Sequence, residues 1–313
     1  MEKQLWWPVA RLIGYWEGTG EGQSGVSRVE RTYKSILSGR FIQAENRSVY
    51  EPQEGNPNGE VHEDLGLFSY DKARQALILR QFHVEGFVNQ YMMQTDSDQS
   101  RAVFTTEQIE NIPAGWRARE TYTFAGSNEM EELFELAAPG EEFATYTRSR
   151  LKRSRLDRNG LLELVRITRG EWDDLLAGIP KERMTEPGVG GDGWTVKDVI
   201  AHNTWNELEM VKMLGARDLS TGSDELWMMT NDERNQALFE RDRDLSLDRV
   251  LAEAEEVREG LFREVEKLED ADLNDPGRFA NMPEDWVPWQ IIAGCTFAHY
   301  PEHVETVREW LQR

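Results

Sequence analysis

Three of the chain's five histidines fall where they could share one ion. His299 and His303 are four residues apart, so on one helix their imidazoles project from the same face, and His202, in the stretch AHNTWNE, can meet them from a second helix. Three imidazole nitrogens leave coordination positions open to water or substrate, which is the donor set of a catalytic rather than a closed structural site. Zn, Ni and Fe all accept such donors, so the donors do not name the divalent ion. Nearby in sequence stand Asn203, Glu207 and Glu302, whose oxygens could hold the second N–H of a ligating imidazole or move a proton; each also suits a solvated helix face. Cys295, the single cysteine, precedes His299 by four residues and reads as an extra ligand, a reactive thiol or, most simply, a small buried apolar residue. Pro301 separates the two late histidines; it removes a backbone donor and crowds the carbonyl of Phe297, which predicts a kink or a fresh helix start.

These residues need helices, and the sequence after about residue 160 has a helical period. LLELVRITRGEWDDLLAGI, WTVKDVIAHNTWNELEMVKMLG, SLDRVLAEAEEVREGLFREVEKLE and WVPWQIIAGCTFAHYPEHVETVREWLQR read as the members of a four-helix bundle. Thr195 with Asp198 forms a capping-box variant, Ser246 can cap the third helix, and Pro288 suits a first helical turn. The connection from about 216 to 245 is long for a bundle crossover and carries LWMMTNDERNQALFERDRD, so Trp227 and Met228 are expected to line the open side of the histidine site.

Before about residue 153 the period is that of strands. IGYWEGTGEG opens a series of about ten short alternating segments separated by turn signals such as Ser38-Gly39, GNPNG, Glu85-Gly86, Gly126-Ser127-Asn128 and Pro139-Gly140. An antiparallel meander of that size closes into a barrel, because closure removes exposed edges. The fold class is therefore α+β with two domains, a ten-stranded antiparallel barrel over 1–153 and an all-α four-helix bundle over 154–313. Gly14, Trp16, Gly18, Gly20 and Gly22 share one face of the first strand, so something must approach that backbone closely, with Trp16 a plug for the closed end or a wall for a ligand. In WRARETYTF, Glu120 and Tyr122 share a face with other aromatic residues, and His83 lies beside a turn at a barrel mouth. An apolar cup with a few polar groups suits a small hydrophobic or amphipathic ligand, and Trp16, Glu120, Tyr122 and Tyr146 are its candidate contacts.

Acidic residues number 58 against 36 basic ones, a net charge of −22, so the field of the chain repels nucleic acid and anionic membrane surfaces. One cysteine excludes an internal disulfide framework and fits a reducing compartment. The start, MEKQLWWPVARLIGYWEG, lacks a leader pattern, and no apolar run approaches the ~20 residues of a membrane helix. The expected location is the cytoplasm, with a homodimer allowed.

The run GWTVKDVIAHNTWNE, followed by FAHYPEHVETVREWL, resembles the DinB-like superfamily of four-helix bundles, including its ClbS/DfsB branch, over roughly residues 156–313. The resemblance implies a divalent metal on His202, His299 and His303, in a superfamily whose members include hydrolases and thiol-dependent transferases. The run LIGYWEGTGEG resembles nitrobindin-like and other lipocalin-like, fatty-acid-binding-protein-shaped barrels. In nitrobindins a histidine near the last strand holds haem iron; here Tyr146 of YTRSRLKR takes its place, which implies that haem binding is lost. Two functions follow as expectations. One is a metal-dependent hydrolase or thiol-dependent group transferase acting on a small molecule; the other is a non-enzymatic protein that binds or sequesters such a molecule.

Overall fold

The computed structural model describes residues 7–95, 100–190 and 193–313; residues 1–6, part of the stretch read above for a leader, lie outside them. A short helix α1 (Trp7–Ala10) leads into ten strands: β1 (Gly14–Gly22), β2 (Gly25–Ile36), β3 (Phe41–Tyr50), β4 (Glu60–Asp71), β5 (Ala76–His83), β6 (Val88–Met93), β7 (Arg101–Glu110), β8 (Arg117–Ala125), β9 (Glu129–Ala137) and β10 (Ala144–Arg155). Each pairs antiparallel with the next, and β10 returns to β1 with Gly18 opposite Leu151, so the barrel is closed. The turn glycines are where the hairpins need them: Gly86 and Gly126 have φ of 89° and 73°, values that side chains rarely adopt.

The glycine row of β1 is explained by its neighbours. A Cβ at Gly18 would lie 1.9 Å from the carbonyl oxygen of Arg150, and one at Gly22 would lie 2.2 Å from that of Tyr146, so the close approach is made by β10. Trp16 is fully buried. Its indole N–H donates to the Leu12 carbonyl at 2.6 Å, and the Arg153 guanidinium lies 4.4 Å from the ring centroid while donating to the carbonyls of Ile13, Arg11 and Ser127. Phe68, Phe104 and Tyr122 pack edge to face, with centroids 5.5–6.3 Å apart.

The chain divides into two compact units, Met1–Glu163 and Leu164–Arg313, the division falling inside α2 (Arg158–Ala177). The helices that follow are α3 (Val196–Ala216), α4 (Asn231–Asp242), α5 (Leu247–Glu266), α6 (Asp270–Asn274), α7 (Pro288–Gly294) and α8 (Tyr300–Leu311). Trp172 and Leu176 of α2, Val196 and Ile200 of α3, Val250 of α5, and Tyr300, Val304 and Trp310 of α8 share one core. The caps are as expected: Thr195 and Asp198 bond reciprocally at the start of α3, Ser246 caps α5, and Pro288 begins α7.

The fourth expected helix is two. It stops at Gly294 with Cys295 as its cap, and it restarts at Tyr300 with Pro301 in the first turn, because proline has no N–H to continue a helix but suits the beginning of one. Helices α4 and α6 also depart from a plain arrangement of four helices. No helix among the described residues is long and apolar enough to cross a membrane.

Candidate metal centre

His202 lies in the middle of α3, His303 in the first turn of α8 and His299 at the residue that caps α8. The break in the helix does not separate the late pair: His299 Nε2 is 3.0 Å from His303 Nε2 and 3.2 Å from His202 Nε2. Donors bound at roughly 2.0–2.2 Å to one ion stand about 2.8–3.6 Å apart between right-angled and tetrahedral geometry. Both distances from His299 fall in that range, and one ligating nitrogen of each of the three rings lies within 4.8 Å of the others. Hydrogen bonding alone accounts for it poorly, because Nε2 of a neutral imidazole offers one N–H or one lone pair, and His299 Nε2 faces two neighbours.

Burial keeps the rings neutral. It pushes His299 down to about 4; with the added influence of His299 and Arg234 it pushes His202 to about 3. His303 falls well below the usual range through burial and the two other imidazoles. Unprotonated nitrogens are what a metal requires. Asn206, one turn beyond His202, brings its amide nitrogen within 3.3 Å of His202 Nε2 while donating to the His202 carbonyl at 3.0 Å. Nδ1 of His202 has no hydrogen-bond partner among the described residues.

The expected neighbours fare differently. Glu207 is taken by Arg169, whose guanidinium reaches both its oxygens at 2.9 and 3.0 Å, and burial raises this carboxyl to about 7. Asn203 is buried with neither amide atom bonded, and Glu302 is exposed. Cys295 lies outside the triad, and burial pushes its thiol up to about 12, which leaves little thiolate. Met228 is 81% exposed and does not line the site as expected. Trp227 packs at a tilt against Trp205 with centroids 5.9 Å apart, and Arg234 covers both rings. Residues of α4 approach instead: Arg234 is close enough to depress His202, and Phe239 stacks on Trp194, which meets His202 edge to face at 5.7 Å. Arg234 carried no sequence signal, since it sits in a polar, exposed-looking run; its role follows from donating to the carbonyls of Leu226, Trp227 and Met229.

In the barrel, Glu120 and Tyr146 line a cavity of about 260 Å³, whereas Trp16 and Tyr122 belong to the packed layers outside it. The lining corrects the expectation of an apolar cup: it includes Arg31, Asp64, His62, His83, Gln81 and Glu132. Arg31 and Glu132 form a buried pair at 2.8 Å, and Glu120 is driven well above the carboxylate range by burial, then by Glu132 and Asp64.

Comparison with known proteins finds a family match for a segment of the helical unit. Residues 164–307 match the DinB superfamily. Solved structures similar to the chain include an uncharacterised protein from Escherichia coli UTI89, at 16% identity and a TM-score of 0.41, covering 50% of this chain and 93% of that one. They also include the colibactin self-resistance protein ClbS in complex with a dsDNA, at 15% identity and a TM-score of 0.42, covering 50% of this chain and 96% of that one. The sibling lethal factor precursor DfsB has 15% identity and a TM-score of 0.42, covering 50% and 95%. A search of curated proteins finds no match. The DinB domain contains all three histidines of the triad.

Proposed function

We propose that the DinB domain holds a divalent metal ion on Nε2 of His202, His299 and His303 and acts on a small molecule as a metal-dependent hydrolase or thiol-dependent group transferase. The convergence of the three nitrogens at 3.0 and 3.2 Å carries this reading. When bound, such an ion supplies Lewis-acid polarisation of a substrate atom. The protein's own part is to hold three neutral donors in register from two helices and to shield them with Trp194, while the amide of Asn206 steadies His202 from the next turn.

Metal content by mass spectrometry, before and after chelation, tests the reading. The intact protein is expected to carry an ion that chelation removes, and His202→Ala and His299→Ala are each expected to lower the bound metal by one ion per chain, with Glu302→Gln as a neutral control. Equal metal content in all variants overturns it. A binding or sequestering protein is the second reading, favoured by the barrel cavity of about 260 Å³, which has room for a small molecule without any metal chemistry. Turnover of a small-molecule panel by the metal-loaded protein separates the two.

A further inference from the structure

The barrel contains a second group of converging donors that the first reading does not use. His62 and Asp64 lie two residues apart on β4, so both side chains face inward, and His83 of β5 is the cross-strand partner of Asp64. One ligating atom from each lies within 4.8 Å of the others, and His62 Nε2 is 3.8 Å from Asp64 Oδ2. All three line the 260 Å³ cavity.

Their outer atoms are already held. Glu85 Oε1 sits 2.7 Å from His62 Nδ1, which leaves Nε2 to point at Asp64; Asn46 donates to Asp64 Oδ1 at 2.8 Å, which leaves Oδ2. The Asn89 amide nitrogen is 3.1 Å from His83 Nε2. The contacts to His62 and Asp64 orient those two as ligands; the Asn89 amide is a donor toward His83 Nε2, so an ion on His83 would require that amide to turn over or move aside. The same cavity has four side-chain oxygens with no donor: Asn46 Oδ1, Gln81 Oε1, Asn89 Oδ1 and Glu120 Oε2, each on a residue at least nine-tenths buried. Buried acceptors in that number call for hydrogen-bond donors, and a hydrated cation is a cluster of donors. Charge agrees, because Arg31 is committed to Glu132 and the other carboxyl groups that line the cavity include Asp64, Glu60 and Glu85.

We infer that His62, Asp64 and His83 form a second metal site, for a first-row divalent transition-metal ion held by two imidazoles and one carboxylate, with its open positions turned to the barrel cavity and hydrated toward the orphan oxygens. The site is independent of the DinB triad.

The full chain carrying His299→Ala and His303→Ala removes the first site, and equilibrium dialysis against Zn²⁺ and Co²⁺ then counts what remains. One ion per chain is expected, with its affinity falling at least tenfold on adding His83→Gln or the isosteric Asp64→Asn, and Co²⁺ absorption changing in parallel. Far-UV circular dichroism confirms that each variant keeps the barrel. No ion in the double variant, or an ion indifferent to both Asp64→Asn and His83→Gln in folded protein, overturns the proposal. Metal lost from the triad variants but not from the barrel variants overturns this proposal and leaves the triad's reading standing; metal lost from the barrel variants but not from the triad variants does the reverse.

Discussion

The two donor groups are built by opposite means. In the barrel, His62, Asp64 and His83 are set by the backbone ladder of two adjacent strands, so their spacing follows from register. In the helical unit, His202 and His299 are 97 residues apart and meet only because α3 and α8 share a core. Chemically they differ as well: three buried imidazoles in one case, and a mixture of imidazole and carboxylate in the other. A ladder gives rigid placement with little freedom of choice in distance; helix packing gives closer convergence at the expense of depending on caps and core side chains throughout the unit.

Trp16→Ala tests the first half of this contrast. Removing a fully buried indole and its contact with Arg153 is expected to cost about 3–5 kcal/mol of barrel stability. Calorimetry of the full chain should show that loss in a transition distinct from the one moved by helical-unit substitutions; a single transition moved equally by both classes would break the comparison.

Acid should separate the units next. A histidine whose folded pKa lies below its unfolded value contributes stability above about pH 6.5 that is lost as pH falls toward the folded value. His202, His299 and His303 all have this sign, so the metal-free helical unit is expected to lose about 1.4 kcal/mol per pH unit per histidine as an upper bound on the way down from pH 6.5, offset in part by Glu207 and Glu171, whose raised carboxyls act in the opposite direction. In the barrel the signs oppose. His83, pushed down to about 4 by burial and then by His62, behaves like the triad. Asp64, pushed up to about 6 by burial, contributes stability at low pH that is lost as pH rises through that value, and Glu120 acts in the same direction. Thermal melts in chelator at pH 7 and pH 5 should therefore move the helical transition more than the barrel transition, and equal shifts would contradict the assignment.

Thr195→Ala removes the side-chain acceptor at the start of α3 and should cost about 1 kcal/mol, read by denaturant unfolding, with weaker metal retention because His202 rides on that helix. Glu302→Gln, on the exposed face of α8, should change stability by less than about 0.5 kcal/mol, and a larger effect would show that this carboxylate reaches the triad.

Much of the architecture is legible in the residues because local chemistry dictates it. Alternation and turn glycines such as Gly86 and Gly126 mark the hairpins, and Thr195, Ser246 and Pro288 mark helix starts. Pro301 announces the restart of α8, though the length of the gap after Gly294 is set by packing that no periodicity reports. The i, i+4 pair His299 and His303 is visible in one dimension. The group His62, Asp64 and His83 is not, because His83 joins the other two only through the register of β4 against β5. The polar lining was hidden for a related reason: Arg31 and Glu132 look like surface charges until the strands carrying them are wrapped into a closed sheet, where they become each other's partners.

The distance in sequence between His202 and His299 has a consequence for the unfolded chain. An ion shared by the two would act as a reversible cross-link closing a loop of 97 residues. For a covalent link, restricting a denatured loop of roughly that size is worth about 4–5 kcal/mol of chain entropy. Coordination would do the same work only while metal is present, so the persistence of the folded helical unit would follow the free concentration of the ion. The triad would then serve as a clasp as well as a chemical centre.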